Sequence, residues 1–323
     1  MGSDSPPSRP ARIVDALSYA VRELREHYRD PEWRYNRVVT RVDGPVSRLR
    51  YGDGGVDLPA AEWDNLLVLD SCRADLFETV ADLARFDDYR RATSVASMTA
   101  EWTRKTWADR EFGDIVYVNA NPLVSRWAPD SFHRLVDLWD EAFDEGIGTV
   151  PPEATADAAR EAFEDDKRLV VHFVQPHAPF YPASLGVDDS AAAWAPGGGE
   201  GAHPDATTPW KALRDGTTTF DAVWEGYAAT LSAGLEAALA LVDDLPGRTV
   251  LTSDHGNLYG QRVWPLGRPV YGHPPNLRHP GLVEVPWAVV DGEPRETVDD
   301  GVTSAAEADE ETMRDRLAAL GYV

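Results

Sequence analysis

The sequence has 323 residues, of which 43% are hydrophobic and 10% aromatic, so it can bury a large core and is not a disordered chain. It carries 55 acidic and 31 basic residues, only three of them lysines, and its formal net charge is −24. Such a surface stays hydrated in concentrated salt and repels nucleic acid and anionic membranes, so neither is expected as a partner. An acidic face for a cationic partner is the alternative interpretation of this charge.

Two features of the sequence indicate the cellular compartment of the protein. The first residues, MGSDSPPSRPAR, lack the apolar stretch of a signal peptide, and no run approaches the ~18 apolar residues of a membrane span. The one cysteine, Cys72, cannot form an intrachain disulfide. We therefore expect a cytoplasmic protein with no membrane span.

The predicted elements alternate along the chain. Residues 1–10 are expected to be a disordered tail, and 11–323 a single α/β domain with loop insertions at 181–218 and 258–282. Apolar periodicity predicts helices at 11–29, 73–85, 100–110, 130–145, 153–166, 219–243 and 304–320. Apolar runs predict strands at 64–70, 114–119, 168–174, 249–251 and 285–290. This alternation indicates a large, mostly parallel mixed sheet sandwiched between helices.

Polar residues directly follow two of the predicted strands. Asp70 comes after the first strand, and Asp254 and His255 come after the strand that begins at Thr249. The carboxyl ends of parallel strands meet at one edge of a sheet, where α/β proteins bind their ligands. Carboxylate oxygens and an imidazole nitrogen together suit a divalent ion. The sequence therefore predicts a metal site here, although a backbone-capping role is the structural alternative for Asp70.

Five segments, in the same order, resemble the sulfatase-like family of the alkaline phosphatase superfamily. They span roughly residues 64–322 and read LLVLDSCRAD, HFVQPHAPFYP, TSDHG, YGHPPNLRHPGLVEVPWAVV and RLAALGYV. The resemblance implies an alkaline phosphatase/sulfatase-like fold and a metal-dependent site that hydrolyses or transfers a sulfate or phosphate ester of a small molecule or glycan. The acidic, lysine-poor composition is typical of a haloarchaeal-type member.

The resemblance also bears on the metal. The ion can be Zn, Mn, Mg or Ca, because all of them accept oxygen ligands. Two acidic positions of the family pattern are occupied here by Ser71 and Gln175. Their loss favours one ion rather than two.

The family places its nucleophile at the start of a helix that follows the first Asp. Thr99 fits this position, and its hydroxyl would both bind the metal and attack the ester. Ser97 is the alternative nucleophile, and a plain helix cap is the structural alternative for both. Residues 101–103 depart from the Pro-Ser-His or Pro-Ser-Arg of the family pattern. Cys72 lacks the Cys-x-Pro-x-Arg maturation pattern and is predicted to be a small packed residue.

Further roles follow from the resemblance and from side-chain chemistry. Arg73 would hold an oxyanion, with an ion pair to Asp75 as the structural alternative. His177 would donate to the ester or protonate the leaving oxygen. His273 would approach the metal or bind substrate oxygens. His172 lies within a predicted strand and is expected to bind substrate or to pack in the core rather than to ligate metal.

Two other functions stay open. The first is a catalytically inactive sulfatase-like protein that binds an anionic sugar, a head group or a partner protein. The second is a phosphodiester- or phosphoglycerate-mutase-like phosphotransferase. No motif specifies the ester or the oligomeric state.

Overall fold

The computed structural model describes residues 25, 29, 31–180, 208–304 and 309–322. The predictions for the tail at 1–10, for nearly all of the helix at 11–29 and for 181–207 lie outside these residues.

A seven-stranded mixed sheet forms the centre, beside a separate two-stranded hairpin. The sheet contains β1 (Asn65–Leu69), β2 (Asp88–Thr93), β3 (Phe112–Asn119), β4 (Phe132–Asp137), β5 (Arg168–Phe173), β6 (Thr249–Thr252) and β9 (Glu284–Val290). The hairpin consists of β7 (Leu258–Val263) and β8 (Arg268–Gly272). Across the sheet the order is β2-β9-β6-β1-β5-β3-β4, and β9 runs antiparallel to both of its neighbours while the other pairings are parallel.

Helices cover both faces of this sheet. The described α-helices are α1 (Pro31–Val38), α2 (Gly44–Tyr51), α3 (Ala74–Val80), α4 (Thr99–Thr106), α5 (Pro122–Trp127), α6 (Leu138–Glu141), α7 (Pro152–Ala162), α8 (Pro209–Asp215), α9 (Phe220–Val242), α10 (Pro280–Val283) and α11 (Glu310–Ala319). None of the helices in these ranges combines the length and apolarity needed to cross a bilayer.

The central strands are apolar on both faces because each face has its own core. In β1, Leu67 and Leu69 pack with α7 and α9 residues in one cluster of buried side chains. Leu66 and Val68 point the opposite way, into a second cluster that contains Trp102 of α4. Successive side chains of a strand alternate between faces, so a strand buried on both sides reads as an unbroken apolar run.

The five predicted strands are all present, and the sheet is mostly parallel as expected. The helix predicted at 130–145 is wrong, because β4 and the single turn of α6 occupy most of it. β2 was not predicted either. β2 and β4 lie at the two edges of the sheet and are only partly buried, so neither shows an apolar run. The segment 258–282, expected as a loop insertion, contains the β7–β8 hairpin, and α8 lies within the expected insertion at 181–218.

Candidate metal centre and active site

Four neighbouring parallel strands, β6, β1, β5 and β3, end at the same edge of the sheet. Each is followed closely by polar side chains that are buried at this edge: Asp254 and His255 after β6, Asp70 after β1, His177 after β5 and Asn121 after β3. Side chains from distant parts of the sequence therefore meet in one small volume, as expected for the ligand edge of an α/β sheet.

Two carboxylates meet at this edge. The backbone N–H of Ser71 donates to Asp254 Oδ1 at 2.9 Å, which joins the ends of β1 and β6. Asp70 Oδ1 accepts from the Ser71 hydroxyl at 2.8 Å, and its Oδ2 accepts from the Asn121 amide at 2.5 Å. Burial and repulsion from Asp254 raise the pKa of Asp70 well above its usual range. Burial acts to raise the pKa of Asp254 too, but attraction to nearby histidines prevails and lowers it.

Two imidazoles face these carboxylates. His255 Nε2 lies 3.3 Å from Asp254 Oδ2 and 4.0 Å from Asp70 Oδ1. His172 Nε2 lies 3.9 Å from Asp70 Oδ2. One ligand atom from each of Asp70, His172 and Asp254 can be chosen so that all lie within 4.8 Å of one another. This spacing is small enough for a single ion to bridge them.

The donor set fits a divalent cation. Asp254 Oδ2 and His172 Nε2 are buried and have no hydrogen-bond partner among the described residues. His255 Nδ1 lies 2.9 Å from the carbonyl oxygen of Gly256. Because a carbonyl only accepts, Nδ1 carries the proton and the Nε2 lone pair of His255 is available to a ligand. Unpaired buried oxygen and nitrogen donors beside a carboxylate pair suit a hard or borderline metal ion.

Thr99 begins α4 and lies against this group. Its Oγ1 is 3.5 Å from Asp70 Oδ2 and 3.2 Å from His255 Nε2. The phenol oxygen of Tyr322 is 3.1 Å away on another side. Thr99 therefore lies at the start of a helix, beside Asp70 and His255.

Ser97, the alternative nucleophile, is engaged elsewhere. Its hydroxyl lies 2.8 Å from the carbonyl oxygen of Pro274 and accepts from the backbone N–H of Leu277 at 3.3 Å. These contacts attach the segment before α4 to the loop that follows β8. Of the two candidate hydroxyl groups, only that of Thr99 contacts Asp70 and His255.

Two further imidazoles lie close to the carboxylates. The His273 ring is 4.7 Å from the His255 ring and 5.2 Å from the His177 ring, measured between centroids. His177 Nδ1 is 2.5 Å from the Ala178 carbonyl, and His273 Nδ1 is 2.8 Å from Asn257 Oδ1. Both Nδ1 atoms therefore carry protons and donate them to oxygen.

Burial favours the neutral form of both of these histidines. Burial lowers the pKa of His177 to about 4. Burial, together with repulsion from His255 and His177, lowers the pKa of His273 well below its usual value. An anionic ester bound beside them would raise both pKa values, because an opposite charge favours the imidazolium form. Each Nε2 could then donate to the ester.

Arg73 is held by protein groups. Its Nε and Nη2 form two bonds with the Asp75 carboxylate, at 2.7 and 2.5 Å. Its Nη1 donates to the carbonyl oxygens of Asn257 at 2.6 Å and Gly281 at 3.2 Å. The structural alternative, an ion pair with Asp75, is thus present, and the contacts do not favour the predicted oxyanion role. Arg73 instead joins the loop that follows β6 to helix α10.

The sequence reasoning missed three contributors. His172 was expected to bind substrate or to pack in the core and not to ligate metal, yet it lies beside the carboxylates because β5 pairs with β1 and aligns it with Val68. Asn121 was not identified as a site residue, although its position after a predicted strand was a usable signal. Nothing in the sequence marked Tyr322 as a site residue, apart from its place in the C-terminal segment RLAALGYV that resembles the family. Cys72 is fully buried in the core, as predicted.

No protein-family model and no curated protein matches the chain. Among solved structures, it is similar to the C-terminal periplasmic domain of the phosphoethanolamine transferase EptC from Campylobacter jejuni, with 14% identity, a TM-score of 0.46, and coverage of 70% of this chain and 78% of that chain. It is also similar to the integral membrane lipooligosaccharide phosphoethanolamine transferase A from Neisseria meningitidis, with 14% identity, a TM-score of 0.47, and coverage of 87% and 59%.

A third similar structure is a protein in the alkaline phosphatase superfamily from Vibrio parahaemolyticus, with 15% identity, a TM-score of 0.37, and coverage of 73% of this chain and 61% of that chain. The chain thus spans less than two thirds of the second and third of these structures. At these identities the assignment of a reaction depends on the residues of the site itself.

Proposed function

We propose that this protein is a metal-dependent enzyme that hydrolyses or transfers a phosphate or sulfate ester, as a sulfatase-like member of the alkaline phosphatase superfamily. The observation that carries the proposal is the meeting of buried Asp70 and Asp254 with Thr99, at the ends of neighbouring parallel strands. Two buried carboxylates are costly unless a cation or proton compensates them. The proposed substrate is an ester of a small molecule or glycan.

Four residues would hold one divalent ion, which can be Zn, Mn, Mg or Ca: Asp70, Asp254, His255 and Thr99. His172 is a further candidate ligand, because its Nε2 is unpaired and 3.9 Å from Asp70. When bound, the ion supplies a Lewis acid that lowers the pKa of a coordinated hydroxyl and offsets charge on the transferred group.

The residues of the chain would do the rest of the chemistry. Thr99 Oγ1 is the proposed nucleophile, and Asp70 Oδ2, 3.5 Å away, is the carboxylate within reach of its proton. The N-terminus of α4 favours negative charge at Thr99. His177 and His273, once an anionic ester has raised their pKa values, would donate to the transferred group and protonate the leaving oxygen.

The test combines metal analysis with turnover of 4-nitrophenyl phosphate, bis(4-nitrophenyl) phosphate and 4-nitrophenyl sulfate. We expect about one ion per chain and turnover of at least one ester in the unmodified protein. Asp254→Asn should lose the ion and lower kcat by at least about a thousandfold, since it removes a ligand and a charge. Thr99→Ala should lose turnover while the protein stays folded. Asp130→Asn, at an exposed position, is the matched control and should change neither readout.

Two outcomes would count against the proposal. Unchanged turnover by Asp254→Asn would show that the reaction does not depend on this site. A bound ion with no turnover of any of the esters would favour the catalytically inactive, anion-binding alternative.

A further inference from the structure

A cavity of about 810 Å³ adjoins the proposed active site. Met98, the residue before Thr99, lines it together with His273 and Tyr322. The last two residues also contact the site, since the His273 ring lies 4.7 Å from that of His255 and the Tyr322 hydroxyl is 3.1 Å from Thr99 Oγ1. The cavity is therefore placed to receive the part of an ester that is not transferred.

The charge of this cavity is opposite to that of the protein. Its charged lining residues are Arg37, Lys211 and Arg214, and none of its described lining residues is acidic. The whole chain carries 55 acidic residues against 31 basic ones. A field of that sign repels anions, so a local group of cations is needed wherever an anion is to bind.

Lys211 differs from the two other lysines of the chain. Lys105 pairs with Glu101 at 2.8 Å, and Lys167 pairs with Asp300 at 2.7 Å. Lys211 lines the cavity of a strongly acidic protein. Its ammonium nevertheless makes no ion pair or hydrogen bond with the described residues. This is the one lysine whose charge the described part of the fold does not compensate.

A second cation, Arg214, lies near Lys211 on the same helix. Lys211 and Arg214 are three positions apart on α8, so both lie on the same side of the helix, where like charges destabilise it. Arg214 Nε is 3.1 Å from the Asp215 carboxylate, which offsets part of that repulsion. An anion between the two side chains would lower the repulsion between them. Trp210 and Tyr271 add flat apolar walls on which a ring can pack.

We propose that this cavity binds the leaving-group part of the substrate, and that Lys211, with Arg37 and Arg214, binds a second anionic group on it. The substrate class is then an ester that carries a further phosphate, sulfate or carboxylate, rather than the ester of a neutral alcohol. This inference rests on the proposed function for the identity of the transferred group.

The kinetic test uses matched pairs of esters, run both as phosphates and as sulfates: the phenyl ester against its 3-carboxyphenyl and 4-carboxyphenyl analogues. Lys211→Met should lower kcat/KM about tenfold for a carboxyphenyl ester, the size of one charge-assisted hydrogen bond, and less than about twofold for the phenyl ester. Lys211→Arg should restore most of the loss. Arg85→Met, which removes one exposed positive charge outside the cavity, is the control and should affect neither ester.

A binding measurement separates this inference from the proposed function. Calorimetric titration with benzene-1,3-disulfonate, a dianion that cannot be hydrolysed, should show about tenfold weaker binding to Lys211→Met than to the unmodified protein or Arg85→Met. If no ester is turned over but this difference is found, the proposed reaction fails and the anion site stands. Equal binding by all three proteins, or an equal loss of kcat/KM on charged and neutral esters, would overturn the inference.

Discussion

Tyr322 places a phenol between two parts of the proposed active site. Its hydroxyl is 3.1 Å from Thr99 Oγ1 and 3.4 Å from Asn121 Nδ2, and its ring stacks on that of His177 with centroids 5.1 Å apart. Burial, and then the charge of Asp70, raise the pKa of this phenol well above its usual value. The hydroxyl therefore stays protonated and can donate to Thr99. We interpret Tyr322 as a positioning residue that fixes the direction of the Thr99 oxygen.

Tyr322→Phe should keep the ring contacts and remove only the hydroxyl. Because an unfixed Thr99 spends less time in line with the ester, we expect kcat to fall about five- to tenfold while KM changes less than about twofold. The melting temperature should fall by only about 1–2 °C, since one hydrogen bond contributes about 1 kcal/mol and a chain of 323 residues has a large entropy of unfolding. Steady-state kinetics and calorimetry measure both.

A purely structural role for Tyr322 would give a different result. The melting temperature would then fall while kcat stayed constant. Tyr322→Leu, which also removes the ring, provides the comparison: it should lower stability further and impair His177 as well, so KM should rise.

At the scale of elements, the sequence predicted what is buried on both faces. β1, β5 and β6 are central strands, so their residues are apolar without interruption and were recognised at once. The polar residues after β1 and β6 could be placed together because both strands are parallel. β2 and β4 are edge strands with partly exposed side chains, and no periodic signal distinguishes them from helix or loop.

The other residues of the site are brought together by the alignment of paired strands and by the order of strands in the sheet. No local sequence pattern encodes either of these. His172 reaches the carboxylates because β5 lies beside β1 in one specific alignment. Asn121 reaches Asp70 because β3 lies on the far side of β5. The contact of Tyr322 with Thr99 joins residues 223 positions apart. Arg73 had two plausible partners, and only the geometry showed that Asp75 holds it.

Helix α9 packs closely against the segment that carries His177. A Cβ atom built on Gly234 would lie 2.7 Å from Gln175 Cβ, and one on Gly226 would lie 2.5 Å from the ring of Phe180. Gln175 cannot move easily, because its side-chain amide donates to the carbonyl oxygen of Val150 at 2.9 Å. The two glycines allow the helix to approach the turn after β5 closely.

We therefore expect Gly234→Ala to destabilise the protein, although alanine favours an isolated helix by about 1 kcal/mol. The overlap at Gln175 should cost more than that, for a net loss of about 1–2 kcal/mol in the free energy of unfolding. Turnover should fall too, because the displaced segment positions His177. Ser232→Ala, at an exposed position of the same helix, is the control and should be neutral or slightly stabilising. Equal urea midpoints for Gly234→Ala and the unmodified protein would show that the packing is looser than the distances imply.

On the scale of the whole molecule, the dominant feature is uncompensated negative charge. The structure does contain surface ion pairs, such as Arg91 with Glu78 at 2.6 Å and Arg160 with Asp244 at 2.8 Å. Pairs of this kind contribute only about 0–1 kcal/mol each. They cannot balance a formal net charge of −24, so repulsion between acidic side chains acts against the folded state.

Salt should therefore stabilise the protein. At about 0.1 M salt the screening length is about 10 Å, so acidic groups repel one another across the surface, whereas at about 1 M it is about 3 Å and only contacting charges interact. Screening weakens the ion pairs as well, but each of them contributes only about 0–1 kcal/mol. We expect the melting temperature to rise by at least about 5 °C between about 0.1 and 2 M KCl.

Sucrose provides the control, because at equal osmolality it stabilises proteins by exclusion from their surface without screening charge. A melting temperature that does not rise with KCl, or that rises equally with sucrose, would mean that repulsion between acidic side chains does not limit stability.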